Sequence, residues 1–145
     1  MLKGISPLLS PELLATLCKM GHGDHIVLAD AHFPGHSCNA NVIRADGLKI
    51  CDLLRAILPL FELDTYIEAP ARMMAPVEGD SADPKVKDRY SAIFQEFVPG
   101  MSPIGELERF DFYKTAGEAY CVVMTGDTSK YGNLLLTKGV TPLTV

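Results

Sequence analysis

The run Tyr120-Cys121-Val122-Val123-Met124 restricts the fold more than any other stretch, because it is apolar without alternation. A strand with one wet face alternates apolar and polar residues. A strand without alternation has both faces covered, the condition of an inner strand between helical layers. Ile26-Val27-Leu28-Ala29, ending at Asp30, and Asn133-Leu134-Leu135-Leu136 read the same way. Between these runs the spacing becomes helical. Ser10-Pro11-Glu12 opens a helix with a capping hydroxyl, a first-turn proline and an acid at the positive end. Leu13, Leu14, Leu17 and Met20 then share a face, and Gly21 stops the helix. Ile50, Leu53, Leu54, Ile57 and Leu58 predict a second helix reaching about Pro59. Asp83-Pro84 caps a third, with Val86, Tyr90, Ile93, Phe94 and Phe97 on one side, and residues 109–119 predict a fourth. Tyr66-Ile67-Glu68 and the run Met73 to Val77 read as further strands, and residues 31–47 as irregular. Helices alternating with buried strands specify an α/β domain with helices on both sheet faces.

The 145 residues are the length of one ordinary domain, with no internal repeat and no linker to divide them. A formal net charge of −5 with no Lys/Arg cluster argues against a nucleic-acid partner. The N-terminus lacks the apolar core of a signal peptide, and charges or prolines break the most apolar windows, so no membrane span is expected. Cys18, Cys38, Cys51 and Cys121 lie far apart without a C-x-x-C pair. They read as buried thiols of a chain in a reducing, cytoplasmic setting rather than as a disulfide framework.

Three stretches carry groups suited to chemistry. In Met20-Gly21-His22-Gly23-Asp24-His25, His22 lies between glycines at a helix-to-strand junction, where a tight turn leaves the imidazole free to face a ligand. Asp30 follows a strand, at the end where open α/β sheets place ligands. One imidazole and one carboxylate suffice for proton transfer near neutral pH, although either residue equally suits a turn or cap. His22, His25, His32 and His36 with Asp24 and Asp30 raise the question of a metal, but no ligand spacing such as H-E-x-x-H is present. In Glu108-Arg109-Phe110-Asp111-Phe112-Tyr113, a helix puts Arg109 and Tyr113 on one face, as a hydroxyl-binding pair or as an exposed Arg beside a packed ring. Thr125-Gly126-Asp127 through Lys130-Tyr131-Gly132-Asn133 either offers amides to a polar ligand or makes a hairpin turn.

Taken in order, Gly4-Ile5-Ser6-Pro7, Ser10 to Leu14, Met20 to Asp24, Ala29-Asp30-Ala31-His32-Phe33-Pro34, Ile43 to Leu48, Leu63 to Tyr66, Glu108-Arg109-Phe110, Tyr131-Gly132-Asn133 and Lys138-Gly139-Val140 resemble the RbsD/FucU sugar mutarotase family from end to end. Phe33-Pro34 and the Glu-Arg-Phe segment resemble its L-fucose branch rather than the D-ribose branch. Residues 98–105, with Pro99, Gly100 and Pro103, depart from the family pattern and leave that loop's conformation open. The resemblance implies one three-layer domain over 1–145 with a mixed, largely parallel sheet. It implies an isomerase that opens and recloses a monosaccharide ring by proton transfer, with no cofactor and no metal. Residue by residue, it implies His22 as general acid and Tyr113 as the second proton-transfer or orienting group. Asp30, Arg109, Tyr131, Gly132 and Asn133 would bind substrate, with Asp64 and Met74 lining the pocket. It further implies a homo-oligomer, a decameric ring, whose sites form at subunit contacts.

Overall fold

The hydroxyl of Ser10 accepts the Leu13 N–H at 3.1 Å and so caps helix α1, Pro11–Lys19, as the first turn of the sequence predicts. The computed structural model describes residues 1–143. Strand β1 is His25–Ala29, and a short helix α2, Gly35–Cys38, precedes β2, Val42–Ala45. Helix α3, Ile50–Ile57, runs into a 3₁₀ turn at Leu58–Leu60. Then come β3, Ala71–Met74, helix α4, Pro84–Phe97, and β4, Gly105–Leu107. Helix α5, Arg109–Glu118, leads to β5, Cys121–Thr125, and to β6, Leu134–Thr137.

The strands form one sheet in the order β2-β5-β1-β6-β3-β4. Only β6 runs against its neighbours β1 and β3; the other pairings are parallel. The sheet is therefore mixed and largely parallel. Alternate residues feed two cores. Ile26, Leu28, Val123 and Leu136 pack with Leu13 of α1, Leu53 of α3 and Phe94 of α4. Val27, Val122 and Leu135 point the other way, onto Phe112 and Ala116 of α5. This is the three-layer α/β architecture. Each fully buried Leu, Ile or Val contributes about 1.5–3 kcal/mol, so β1, β5 and β6 anchor the domain.

Local readings differ from the structure in several places. Residues 66–68 form no strand: Tyr66 is 78% exposed and its N–H is taken by the Asp64 carboxylate at 3.0 Å, so the chain bends instead of pairing. The strand expected from Met73 to Val77 lies at Ala71–Met74, ending before Pro76, which has no N–H for a ladder. The stretch 31–47 contains α2 and the edge strand β2, whose four residues sit between turn formers that mask them. The segment 98–105 is loop until Gly105, where the edge strand β4 begins. The hairpin reading of 125–133 also fails, since β1 lies between β5 and β6. Among the described residues no helix is long and apolar enough to cross a membrane.

Candidate active site

Beyond Ala29 the chain leaves β1 and turns at Asp30, which is only 4% exposed. Its backbone is clamped on both sides by the end of β5 and the turn that follows it. The Thr125 hydroxyl donates to the Ala29 carbonyl at 2.8 Å, and the Ala31 N–H donates to the Asp127 carbonyl at 2.7 Å. From the start of β6, Asn133 accepts the Asp30 N–H at 2.8 Å through Oδ1. That bond commits the amide oxygen and leaves the NH2 end to donate elsewhere. The Asp30 carboxylate accepts the His32 N–H at 2.9 Å. Burial raises the pKa of this carboxyl, while the N–H groups of His32, Phe33 and Gly132 draw it back.

Asp30, His32, Phe33, Met74, Tyr113, Lys130, Tyr131 and Asn133 border a cleft of about 200 Å³. Five of the candidates read from the sequence thus meet: Asp30, Met74, Tyr113, Tyr131 and Asn133. Arg109 stands beside them, its guanidinium 5.6 Å from the Tyr113 ring centre and 5.5 Å from that of Phe110. The i, i+4 relation on α5 therefore holds, and Glu108 caps that helix by accepting the Phe110 N–H at 2.9 Å. Gly132 lies behind the cleft. Its carbonyl accepts the Tyr90 hydroxyl at 2.7 Å, its N–H donates to Ser129 at 3.0 Å, and a Cβ there would sit 2.8 Å from the Ser129 oxygen. Tyr131 has φ 57, a left-handed conformation that costs a non-glycine residue about 1 kcal/mol and often marks functional positions. Lys130 and His32 complete the wall; both lie inside the motifs Lys130-Tyr131-Gly132-Asn133 and Asp30-Ala31-His32, which is the signal for them in the sequence.

His22 lies at the other end of the sheet. It precedes β1 while Asp30 follows it, and at about 3.3 Å per residue the strand alone spans about 13 Å. Gly23, at φ 86, makes the turn between them and the strand, and its N–H donates to the Lys138 carbonyl at 2.8 Å. Asp64 is here too, not in the cleft with Met74. The bridge of Leu63 with Lys138 brings it under the imidazole, where His22 Nε2 bonds its Oδ1 at 3.2 Å. The Tyr66 N–H, and secondarily His22, hold the Asp64 carboxyl below its usual range. An ionised carboxylate only accepts, so Nε2 carries the hydrogen and Nδ1 remains to exchange a proton. The Tyr66 ring tilts against the imidazole with centres 5.4 Å apart. The histidines divide between the two ends, His22 before β1 and His25 at its first position, His32 and His36 after it, so no common centre gathers all four. A wider concavity of about 850 Å³ also opens at this end, bordered by Gly23, His25, Asp64, Arg72 and Thr137. Of the nine candidates only Asp64 lines it, and the smaller cleft is the better-equipped place for a polyhydroxy ligand.

The sequence pattern of the RbsD / FucU transport protein family matches residues 3–141. The chain belongs to that family. Within the RbsD/FucU family it is 59% identical to a protein of Haemophilus influenzae (strain 86-028NP) named L-fucose mutarotase, over 143 residues and 99% of each chain. The solved structure of the fucose mutarotase in complex with L-fucose from Streptococcus pneumoniae superposes with a TM-score of 0.92 at 44% identity, covering 97% of this chain and 100% of that one. FucU from Bifidobacterium longum gives a TM-score of 0.92 at 45% identity, covering 96% and 99%. The mixed six-stranded sheet between helical layers is thus the RbsD/FucU fold.

Proposed function

We propose that this chain is an isomerase that interconverts α- and β-L-fucopyranose. The observation that carries the reading is the 59% identity, through 99% of the chain, to a protein named L-fucose mutarotase. The cleft supplies what a sugar needs: the Asp30 carboxylate, the amide NH2 of Asn133 and the phenols of Tyr113 and Tyr131, with the Arg109 guanidinium beside Tyr113. The reaction asks only for proton movement. The ring oxygen gains a proton, the anomeric hydroxyl loses one, and the bond from anomeric carbon to ring oxygen breaks. The free aldehyde turns about its bond to the next carbon, and the ring closes with the opposite configuration. His22 gives the proton to the ring oxygen through Nδ1, with Asp64 holding the imidazole through Nε2. Tyr113 transfers the second proton or orients the group that does. Nothing in this sequence of steps calls for a cofactor or metal.

Two features support a site shared between copies. The sheet separates His22 from the cleft by far more than a hydrogen bond of about 3 Å. A cleft of about 200 Å³ is also smaller than the roughly 300–1,000 Å³ typical of enclosed ligand sites, so one copy leaves a sugar partly uncovered. A second copy that brings its own His22 over the cleft satisfies both conditions, and symmetry repeats the arrangement around a ring, a decamer in our reading. The setting is cytoplasmic, in keeping with four unpaired thiols. Saturation-transfer NMR between the two anomeric proton signals tests the function. Faster exchange for L-fucose than for D-ribose is expected. Rates equal to buffer for every sugar would reduce the chain to a binding protein, and a preference for D-ribose would reassign the substrate.

A further inference from the structure

Among the described residues, Tyr131 is the only one besides glycine with a positive φ. A left-handed tyrosine needs something to keep it there, and the structure offers one candidate. The Tyr131 hydroxyl donates to Asp80 Oδ2 at 2.7 Å, while Asp80 Oδ1 pairs with Lys130 Nζ at 2.7 Å. One carboxylate thus grips two consecutive residues of the turn that leads into β6. Asp80 is itself held by its neighbours: its N–H donates to the Val77 carbonyl at 3.0 Å, and its Oδ1 accepts the Ser81 N–H at 2.8 Å. The Val77 N–H lies 3.5 Å from the Tyr131 oxygen on the side facing that loop. The segment 75–83, which continues directly from Met74, is therefore stapled to the turn carrying Tyr131 and Asn133.

We infer that Asp80 is a positioning residue for the sugar cleft: it fixes the Tyr131 ring in the wall that Asp30 and Met74 also line. The inference rests on reading that cleft as the sugar site. Asp80 does not border the cleft and acts on it through the two wall residues it holds, Tyr131 and Lys130. With its hydrogen committed to Asp80, Tyr131 offers a ligand its ring face and a remaining lone pair instead of a freely rotating hydroxyl. Both carboxylate oxygens are used, one by a phenol and one by an ammonium, so aspartate suits the place better than a neutral side chain. The bridges to Asp80 lengthen the chain of contacts from β3 to β6 around the outside of the cleft. Exposed pairs of this kind add little to stability, and the effect falls on geometry instead. Asp80 stays ionised across the working range, its pKa lowered to about 2 chiefly by Lys130 and then by Tyr131.

The test compares anomer exchange over a range of L-fucose concentrations in the wild type, Asp80→Ala, Asp80→Asn, Tyr131→Phe and the double variant Asp80→Ala/Tyr131→Phe. Asp80→Ala is expected to raise KM about tenfold while kcat changes by less than about threefold, the scale of a displaced binding group. Asp80→Asn keeps an acceptor for the phenol and should recover part of that loss. The double variant should be no worse than the poorer single one, since both remove the same bond. A wild-type KM in Asp80→Ala, or additive losses in the double variant, overturns the inference while leaving the functional reading intact. If the wild type accelerates no exchange, that reading fails on its own. Asp80 is then judged by the ¹³Cζ resonance of Tyr131, which must shift in Asp80→Ala and stay near its original position in Asp80→Asn. A resonance unmoved in Asp80→Ala overturns the inference.

Discussion

The two ends of the β1–β6 pair are built differently. After β1, Asp30 and Asn133 are each 4% exposed, bonded to one another and braced from β5. Before β1, the His22 side chain is 48% exposed and, among the described residues, its one polar contact is with Asp64. A sugar has to be held by fixed groups, and the first end is fixed. An acid has to reach a ligand it does not enclose, and the second end projects. Under the proposed function, binding belongs to one end and proton delivery to the other, with the strand between them keeping the two apart in any single copy.

The sharpest way to break this division is to remove the acid. His22→Ala should lower catalysed anomer exchange by about 10²–10⁴-fold, the usual contribution of a positioned acid. Its thermal unfolding and assembly should match the wild type, since an exposed imidazole has little packing to lose. Wild-type exchange in a folded His22→Ala sample would take the proton-delivery role away from that end.

The cleft end was more legible in the sequence than the His22 end. Asp30 and Asn133 flank β1 and β6, whose unbroken apolar runs mark inner strands, and Tyr113 stands one helical turn from Arg109 on α5, so their placement follows once those elements are recognised. Asp64 does not. It sits in a loop without periodicity, 42 residues from His22, and meets it only because Leu63 pairs with Lys138 beyond the end of β6. Such a contact depends on long-range register, which no local pattern carries. The edge strands β2 and β4 escaped for a related reason: with four and three residues they are too short to show an alternation against their turn-rich flanks. Asp80 is similar, visible in the sequence only as the residue after Gly79 in a turn and given meaning by Tyr131, 51 residues on.

At the binding end, Asp30→Asn sharpens the contrast because function and stability should move in opposite directions. The folded chain raises the pKa of Asp30, chiefly by burial, so ionising it costs stability. Its contribution favours the fold below the unfolded value of about 3.8 and is lost as pH rises through the folded one. At neutral pH the wild type therefore carries a cost that asparagine lacks. We expect KM to rise tenfold or more, on the order of one lost charge-assisted hydrogen bond. Tm should hold or rise by about 2–4 °C, the shift that roughly 1 kcal/mol gives a domain of this size. A clear fall in Tm would mean that Asp30 is there for structure.

The smallest effect belongs to His25, at the projecting end. Its Nδ1 lies 3.0 Å from the Thr137 hydroxyl, and burial, aided by the charge of Arg72, lowers its pKa from 6.5. The folded chain keeps this imidazole neutral, so its contribution is complete above about pH 6.5, falls as the pH drops below that, and levels off past the folded pKa. Thermal unfolding followed from about pH 7.5 to 5.5 should show a decline of a few degrees that shrinks in His25→Gln. An unchanged decline in that variant would place the pH sensitivity elsewhere.

The division of labour between the two ends is tested most directly by mixing two inactive chains, His22→Ala and Tyr113→Phe/Asn133→Ala. Co-assembly, confirmed by native mass spectrometry, should pair an intact His22 from one copy with an intact cleft from another and restore part of the L-fucose anomer exchange. If mixed oligomers form and exchange stays at the level of either parent, the acid and the cleft do not meet between copies, and the two ends of the sheet are not one site.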